Sequence, residues 1–388
     1  MAGMAFDAIV AGGGIVGAAC AAACARDGMR VALVERDVIG SGATAAGMGH
    51  IVVMDDSEAQ FALTRYSQRL WHELARELPR AAEYEQRGTL WVAADEEEMA
   101  EAERKLAFYR ERDVPAVLLS ARELAEAEPN LRAGLAGALL VEEDGVVYPP
   151  AVALHLAQRA EMSGAVLMVG RSVVEMRQGA VLLDDGTRLT APRLVNATGA
   201  WSPAMEPEIP VKKRKGHLAI TERYPDFVRH QLVELGYLKS AHSMGADSVA
   251  FNVQPRSTGQ ILIGSSRQYG NEDAAVDEHM MSWMLQRAAL YMPGIVKLQA
   301  IRVWTGFRAA TPDKLPLIGR SCADESVWLA TGHEGLGITT SLGTAELLAA
   351  AFAGRKPAIA AEPYLPARYK KQSQSQERDK EPLCNGEA

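Results

Sequence analysis

The stretch "DAIVAGGGIVGAACAAACARDGMRVALVERD", Asp7 to Asp37, decides the fold of this 388-residue chain. A short apolar run, Ala8–Val10, meets three glycines. A helix of small residues follows, and a second apolar run, Val31–Val34, ends on Glu35. Strand, turn, helix and strand in that order make a β-α-β unit. Within the spacing Gly12-x-Gly14-x-x-Gly17 each glycine has its own use. Gly12 permits the tight turn, Gly14 lets the main chain approach a pyrophosphate, and Gly17 lets helix and strand pack closely. The helix start, with Ile15 and Val16 in its first turn, faces the negative charge. Glu35, followed by Arg36, is placed to accept from ribose hydroxyls, and an acid there argues against a 2′-phosphate and so against NADP.

Bulk properties narrow the field. The chain is 48% hydrophobic and 23% charged with a net charge of −8, the composition of an ordinary globular protein. Its one basic cluster is "KKRK", Lys212–Lys215, so nucleic acid is not an expected partner. The start of the chain lacks a secretory pattern, and the apolar run Ala18–Ala25 is too short to span a bilayer. Four cysteines show no zinc spacing, and Cys20 and Cys24 fall on one helix face as small apolar residues. No metal site is expected. These features fit a reducing cytoplasm, with peripheral attachment at the inner membrane as the alternative location.

Further along, helices are expected over Ser57–Leu78, Asp95–Arg112 and Pro150–Ser163, with strands at Gly88–Ala94 and in "GAVLMVG". "VLLDDGTRLTA" reads as a hairpin turning at Asp185-Gly186. "RLVNATGAW", Arg193–Trp201, reads as a buried strand that breaks at Thr198-Gly199. Val211 to Ser266 holds several strand-like runs in succession, too much β for a pure α/β domain, so a separate sheet is expected. A helix over Asp273–Tyr291, strands around Ile301–Trp304 and Trp328–Thr331, and a last helix over Ile338–Phe352 complete the order. Residues 370–388 read as a disordered tail.

The glycine unit alone does not choose between NAD and FAD. Three later features favour FAD. "GSGATAAGMGH", Gly40–His50, follows Glu35 directly, where a chain would pass from adenosine toward a flavin ring. "NATG", Asn196–Gly199, ends a strand beside the nucleotide path. "LATGHEGLGITTSLGTAELLA" repeats Ala-Thr-Gly and opens a helix near Gly337, whose free N–H groups would stabilise negative charge on a flavin.

With these segments in place the chain resembles the family of FAD-dependent amino-acid oxidoreductases that includes glycine oxidase, sarcosine oxidase and D-amino-acid oxidase. The resemblance runs from about Phe6 to Tyr369 and is strongest in Gly12–Glu35, Gly40–His50, Asn196–Trp201 and Trp304–Gly343. "TGFRAATPDKLPLIG" is similar to the family's arginine, Thr-Pro-Asp and Pro-x-Ile-Gly pattern. "GQILIGSSRQYG" is most similar to the flavin subunits of D-hydroxyproline dehydrogenase and hydrogen cyanide synthase type. The implied fold is α/β plus α+β: a Rossmann-like FAD-binding domain (1–85, 145–210 and 300–369) joined to a mainly antiparallel substrate domain (86–144 and 211–299).

The resemblance also implies site roles. Arg308, which has no acidic neighbour before Asp313, would clamp a substrate carboxylate from beside the flavin, with Asp313 left to the turn after Pro312. Phe251, Asn252, Met48 and His50 would form the rest of the substrate pocket. Ser41, Thr44, Ala45 and Gly47 to Gly49 would line pyrophosphate and flavin, and Val174 would meet adenine through its main chain. Ala197, Thr198, Gly199 and Trp201 would flank the nucleotide, and Gly335, Leu336, Gly337, Ile338 and Thr339 would close over the flavin's pyrimidine edge. His333 and His50 are read as hydrogen-bonded structural histidines, and Arg267 and Tyr269 as surface residues. No cysteine occurs between Arg308 and Arg320, which implies noncovalent FAD. No lysine stands between Lys239 and Lys297, which favours a dehydrogenase over an oxidase. The expected reaction is oxidation of a small amino acid or secondary amine to the imine, in company with other dehydrogenase subunits. A glycine- or sarcosine-oxidase-like enzyme, an NAD-dependent enzyme and an electron-relay flavoprotein without a substrate are the competing readings.

Overall fold

In the computed structural model, which describes residues 5–236 and 247–369, the Asp7–Asp37 unit folds as its spacing dictates. Strand Ala8–Ala11 pairs in parallel with Val31–Glu35, and helix Ile15–Arg26 crosses between them. All nine residues of the two strands are buried. The sheet runs Leu317–Arg320, Val327–Thr331, Leu194–Asn196, Ala8–Ala11, Val31–Glu35, Val166–Val169, parallel except for its first pair. Its core joins the small residues of the first helix to those of helices Pro149–Met162 and Gly337–Phe352. Cys20 and Cys24 lie wholly buried there, and desolvation pushes both thiols up, Cys24 to about 12. They are packing residues.

The expected hairpin forms from Ala180–Leu183 and Arg188–Thr190, inside a three-stranded sheet. The separate sheet is larger than anticipated. Eight strands run in the order Ala300–Ala310, Lys212–Arg223, Gln260–Arg267, Ser248–Pro255, Gln231–Glu234, Thr89–Ala93, Gly137–Val141, Ala116–Ser120. All neighbours are antiparallel except Gln231–Glu234 with Thr89–Ala93.

Two expectations are corrected. The strand expected around Ile301–Trp304 extends over Ala300–Ala310, because it pairs along its length with the twelve-residue strand Lys212–Arg223. Arg308 therefore belongs to the antiparallel sheet. The helix expected from Asp273 begins at Glu278. Asn271 and Asp273 accept main-chain N–H bonds from residues two positions on, turns that compete with helix, and Asp277 supplies the cap. Within "KKRK", Arg214 and Lys215 are buried in their strand. The tail 370–388 lies outside the described residues, and no helix among the described residues is long and apolar enough to cross a membrane.

Candidate active site

An elongated cavity of about 480 Å³ runs from the glycine turn of the first sheet to the floor of the second. Its nucleotide end is made of main chain. Gly12 has a φ of +103°, and a Cβ there would stand 2.5 Å from Ala197 O. Gly17 lies just behind the wall, where a Cβ would come 1.8 Å from Gly12 O, so helix and turn touch through backbone alone. The helix begins at Gly14 with no side-chain cap; Thr44 Oγ1 takes the Ile15 N–H at 3.0 Å, and Val16 follows with both facing the cavity. Glu35 lines the cavity and is held by the N–H groups of Gly13 at 2.6 Å and Asp37 at 2.8 Å, with Ser41 Oγ at 3.3 Å. Arg36, whose guanidinium lies 5.3 Å from the Trp201 ring centre, borders it.

Along the middle, Thr44, Gly47, Met48 and Gly49 form one wall and Ala197, Thr198, Gly199 and Trp201 the other. Ala45 is not part of the lining. Val174 is not either: it is half exposed, and Arg171, Ser172 and Val173 face the cavity in its stead. Gly335, Gly337 and Ile338 close the far side, at the uncapped start of helix Gly337–Phe352. Leu336 and Thr339 stand behind them. Leu336 is the helix's first flanking residue, and Thr339 Oγ1 holds His50 O at 2.9 Å and Val52 N at 3.3 Å.

The floor of the other end is a patch of four adjacent strands, bearing Gly306 and Arg308, Gly216 and Leu218, Ser265, and Asn252. Strand alternation separates the expected pair Phe251 and Asn252. Asn252 faces the cavity with its Oδ1 unpartnered. Phe251 points away, wholly buried and stacked on Tyr291 with ring centres 4.6 Å apart, so it is a core residue and not a pocket residue. Met48 and His50 complete the wall, with His50 Nε2 unpartnered and buried. Burial pushes His50 down to about 4, so it is neutral at ordinary pH. His333 also lines the cavity, pushed down to about 3 by burial, with Nε2 2.9 Å from Thr344 Oγ1.

Arg308 Nη1 donates to Ser266 O at 2.9 Å. Asp313 is elsewhere, bonded to Arg368 at 2.7 Å and to Tyr369 at 2.6 Å. Burial, reinforced by the Arg214 guanidinium, pushes Arg308 down to about 9, and Tyr269 opposes this; it remains a cation at neutral pH. Arg267, expected at the surface, is buried and likewise pushed to about 9 by desolvation and by Arg214 and Arg308. Residues missed in the sequence include Arg214 and Glu334, which form an ion pair beside the cavity, with Tyr269 2.8 Å from Arg214. Gly216 and Gly306 were missed too, although a glycine inside a strand is a recognisable sign of close approach. A Cβ on Gly216 would stand 2.4 Å from Arg308 Nη1, and one on Gly306 would stand 2.4 Å from Ala46 Cβ.

This cavity fits a dinucleotide carrying a large ring. The helix start at Gly14 and the Glu35 carboxylate suit a pyrophosphate and a ribose, and a Cβ at the lining glycines Gly12, Gly47 or Gly306 would strike Ala197, Ile338 or Ala46. Fold and site together define a Rossmann-type dinucleotide-dependent oxidoreductase. The chain belongs to the DAO family of FAD-dependent oxidoreductases, whose model matches residues 7–351. It is 30% identical to glycine oxidase of Geobacillus kaustophilus over 89% of this chain and 92% of that one. It is 29% identical to hydrogen cyanide synthase subunit HcnC of Pseudomonas aeruginosa, over 88% and 91%. The crystal structure of the Geobacillus glycine oxidase superposes with a TM-score of 0.84 at 27% identity, covering 94% of this chain and 99% of that one. The protein is thus a flavoenzyme of the class that includes amino-acid oxidases and dehydrogenases. Among the described residues no cysteine lines the cavity.

Proposed function

We propose that this enzyme oxidises the Cα–N bond of a small carboxylated amine, a D-amino acid or a cyclic secondary amine of D-hydroxyproline type, to the imine. The observation that carries the reading is Arg308, a cation set in the cavity wall whose one described hydrogen bond is to a neutral carbonyl. A guanidinium holds a carboxylate through two parallel bonds, which fixes its position and its rotation together. Bound FAD supplies the two-electron acceptor. Asn252 Oδ1 is available to accept from the substrate amine or from a hydroxyl, and His50 beside it is neutral. Leu218 and Met48 cover the same surface and exclude water. The imine forms when Cα and nitrogen each give up a hydrogen, so the amine must be neutral where it binds.

An acceptor other than oxygen is part of the proposal, in keeping with a cavity that no lysine lines among the described residues. So is assembly with further subunits, which the likeness to a hydrogen cyanide synthase subunit supports. A glycine-oxidising enzyme is the second reading, favoured by the identity to glycine oxidase. An anaerobic screen of flavin bleaching by D- and L-amino acids, proline analogues, glycine and sarcosine separates them, and oxygen consumption on each hit identifies the acceptor. Arg308→Ala is expected to lower kcat/KM for the carboxylated substrate by about 2–5 kcal/mol while FAD content is kept. Full activity in that variant refutes the assignment.

A further inference from the structure

On the side of the sheet away from the cavity, His217 and Ser266 meet, both wholly buried. Gly216 and Leu218 face the cavity, so His217 between them faces away, and Ser266 stands to Ser265 in the same way. The ladder between their strands is irregular at this point. Its register shifts by one residue between the Ala219–Ile263 pair and the Lys215–Gln268 bridge. In a regular antiparallel ladder the His217 N–H would go to a main-chain carbonyl. Here it goes to Ser266 Oγ at 2.9 Å. The Ser266 carbonyl instead receives Arg308 Nη1, also at 2.9 Å.

The imidazole reinforces the exchange. His217 Nδ1 lies 2.9 Å from the same Ser266 Oγ, and Nε2 accepts the Asp277 main-chain N–H at 3.1 Å. A ring nitrogen that accepts an N–H carries no proton, so the ring is neutral and its Nδ1 proton points at Ser266 Oγ. Burial, with Lys215 and Arg308 nearby and Asp277 opposing, holds His217 below the usual histidine range. Asp277 is itself fixed as the cap of helix Glu278–Tyr291 and by Gln268 at 2.8 Å. Hydrogen bonds therefore join a helix cap, an imidazole and the Ser266 hydroxyl, and the carbonyl of the same serine holds the guanidinium.

We infer that His217 and Ser266 are positioning residues that set the orientation of the Arg308 fork, and hence of the bound carboxylate, from behind the sheet. The inference rests on the reading of Arg308 as the carboxylate clamp. Removing the hydroxyl would let the His217 N–H compete with Arg308 for the Ser266 carbonyl, and the fork would turn.

The test uses the FAD-loaded protein, titrated with pyrrole-2-carboxylate and with its neutral counterpart pyrrole-2-carboxamide, followed by the change in flavin absorption. Ser266→Ala and His217→Gln are each expected to weaken the carboxylate about tenfold while the amide changes by less than about twofold. With an amine that reduces the flavin, KM rises and kcat stays within about threefold. In the Arg308→Ala background, Ser266→Ala is expected to add nothing further. Unchanged carboxylate binding in both single variants overturns the inference. So does an equal loss for acid and amide, an undiminished loss in the Arg308→Ala background, or loss of FAD from both variants, which would assign the pair to the fold alone. If Arg308→Ala itself binds the carboxylate normally, the clamp reading falls first. If Arg308→Ala fails to bind it and the other two bind it well, only the positioning role falls.

Discussion

The nucleotide end and the substrate end of the cavity are built from different materials. At the nucleotide end the wall is backbone: Gly12, Gly14 and Gly17 bring two main-chain segments and a helix start together, and the side chains that matter, Glu35 and Thr44, are held by main-chain N–H groups. At the substrate end the wall is side chains from four strands, with two glycines to make room for them. The first material tolerates no added atom. The second tolerates replacement and changes its preference, because a flexible arginine can move where a carbonyl in a packed turn cannot.

That contrast can be broken in four places, taken here in order of effect. Gly17→Val places a side chain 1.8 Å from Gly12 O, and is expected to lower stability by about 3 kcal/mol or more and abolish flavin retention. A yellow protein with an unchanged Tm would show that the helix start has slack. Arg308→Ala follows, with its large loss of turnover and intact flavin.

A buried carboxyl outside the cavity comes third. Asp144 lies between strands Gly137–Val141 and Gly145–Val146, and its Oδ1 accepts from Val53 N at 3.1 Å and Gln68 Nε2 at 3.0 Å. Burial raises its carboxyl to about 7, against hydrogen bonds and Lys105 that lower it. An unfolded aspartate titrates near 3.9, so between roughly pH 4 and 7 the folded state holds the extra proton. Its contribution to stability is full at the acid end and is lost as pH rises through about 7. Asp144→Asn keeps the Oδ1 acceptor and removes the titration. At pH 8 it is expected to be more stable than the parent by on the order of 2 kcal/mol, with a flatter dependence of Tm on pH. Parallel curves for the two proteins would exclude Asp144 as the cause.

Gly216→Ala is the mildest test. The three atoms nearest its Cβ would all belong to the Arg308 guanidinium, so the flavin is expected to stay while carboxylate affinity falls about tenfold in the same absorption titration. Loss of flavin from this variant would erase the contrast between the two ends.

How much of this was readable before the chain was folded follows the same division. Gly12, Gly14, Gly17 and Glu35 act through contacts within a single β-α-β unit, and period and spacing are local properties that survive in a string of letters. Arg308 stood out because a charge among small residues needs a partner, and the carboxylate of Asp313 does pair elsewhere, with Arg368. Phe251 and Asn252 could not be told apart, since one residue of strand register decides which of them faces the cavity. That half of "KKRK" is buried, in a strand paired with Ala300–Ala310, is likewise not written in its four letters. Glu334 and Arg214 are 120 residues apart, and no local rule connects them.

By itself, then, the sequence determined the dinucleotide unit, the family, the presence of a second sheet and the arginine that needs a partner, because each is written in spacing, composition or a conspicuous charge. The tertiary structure alone decided which face of each long strand looks at the cavity. It decided that Arg308 belongs to the second sheet, and that Ser266 gives up its carbonyl to that arginine. The physical reason is that side-chain direction in a sheet alternates residue by residue, so it is set by register against distant strands and not by the residues of the strand itself.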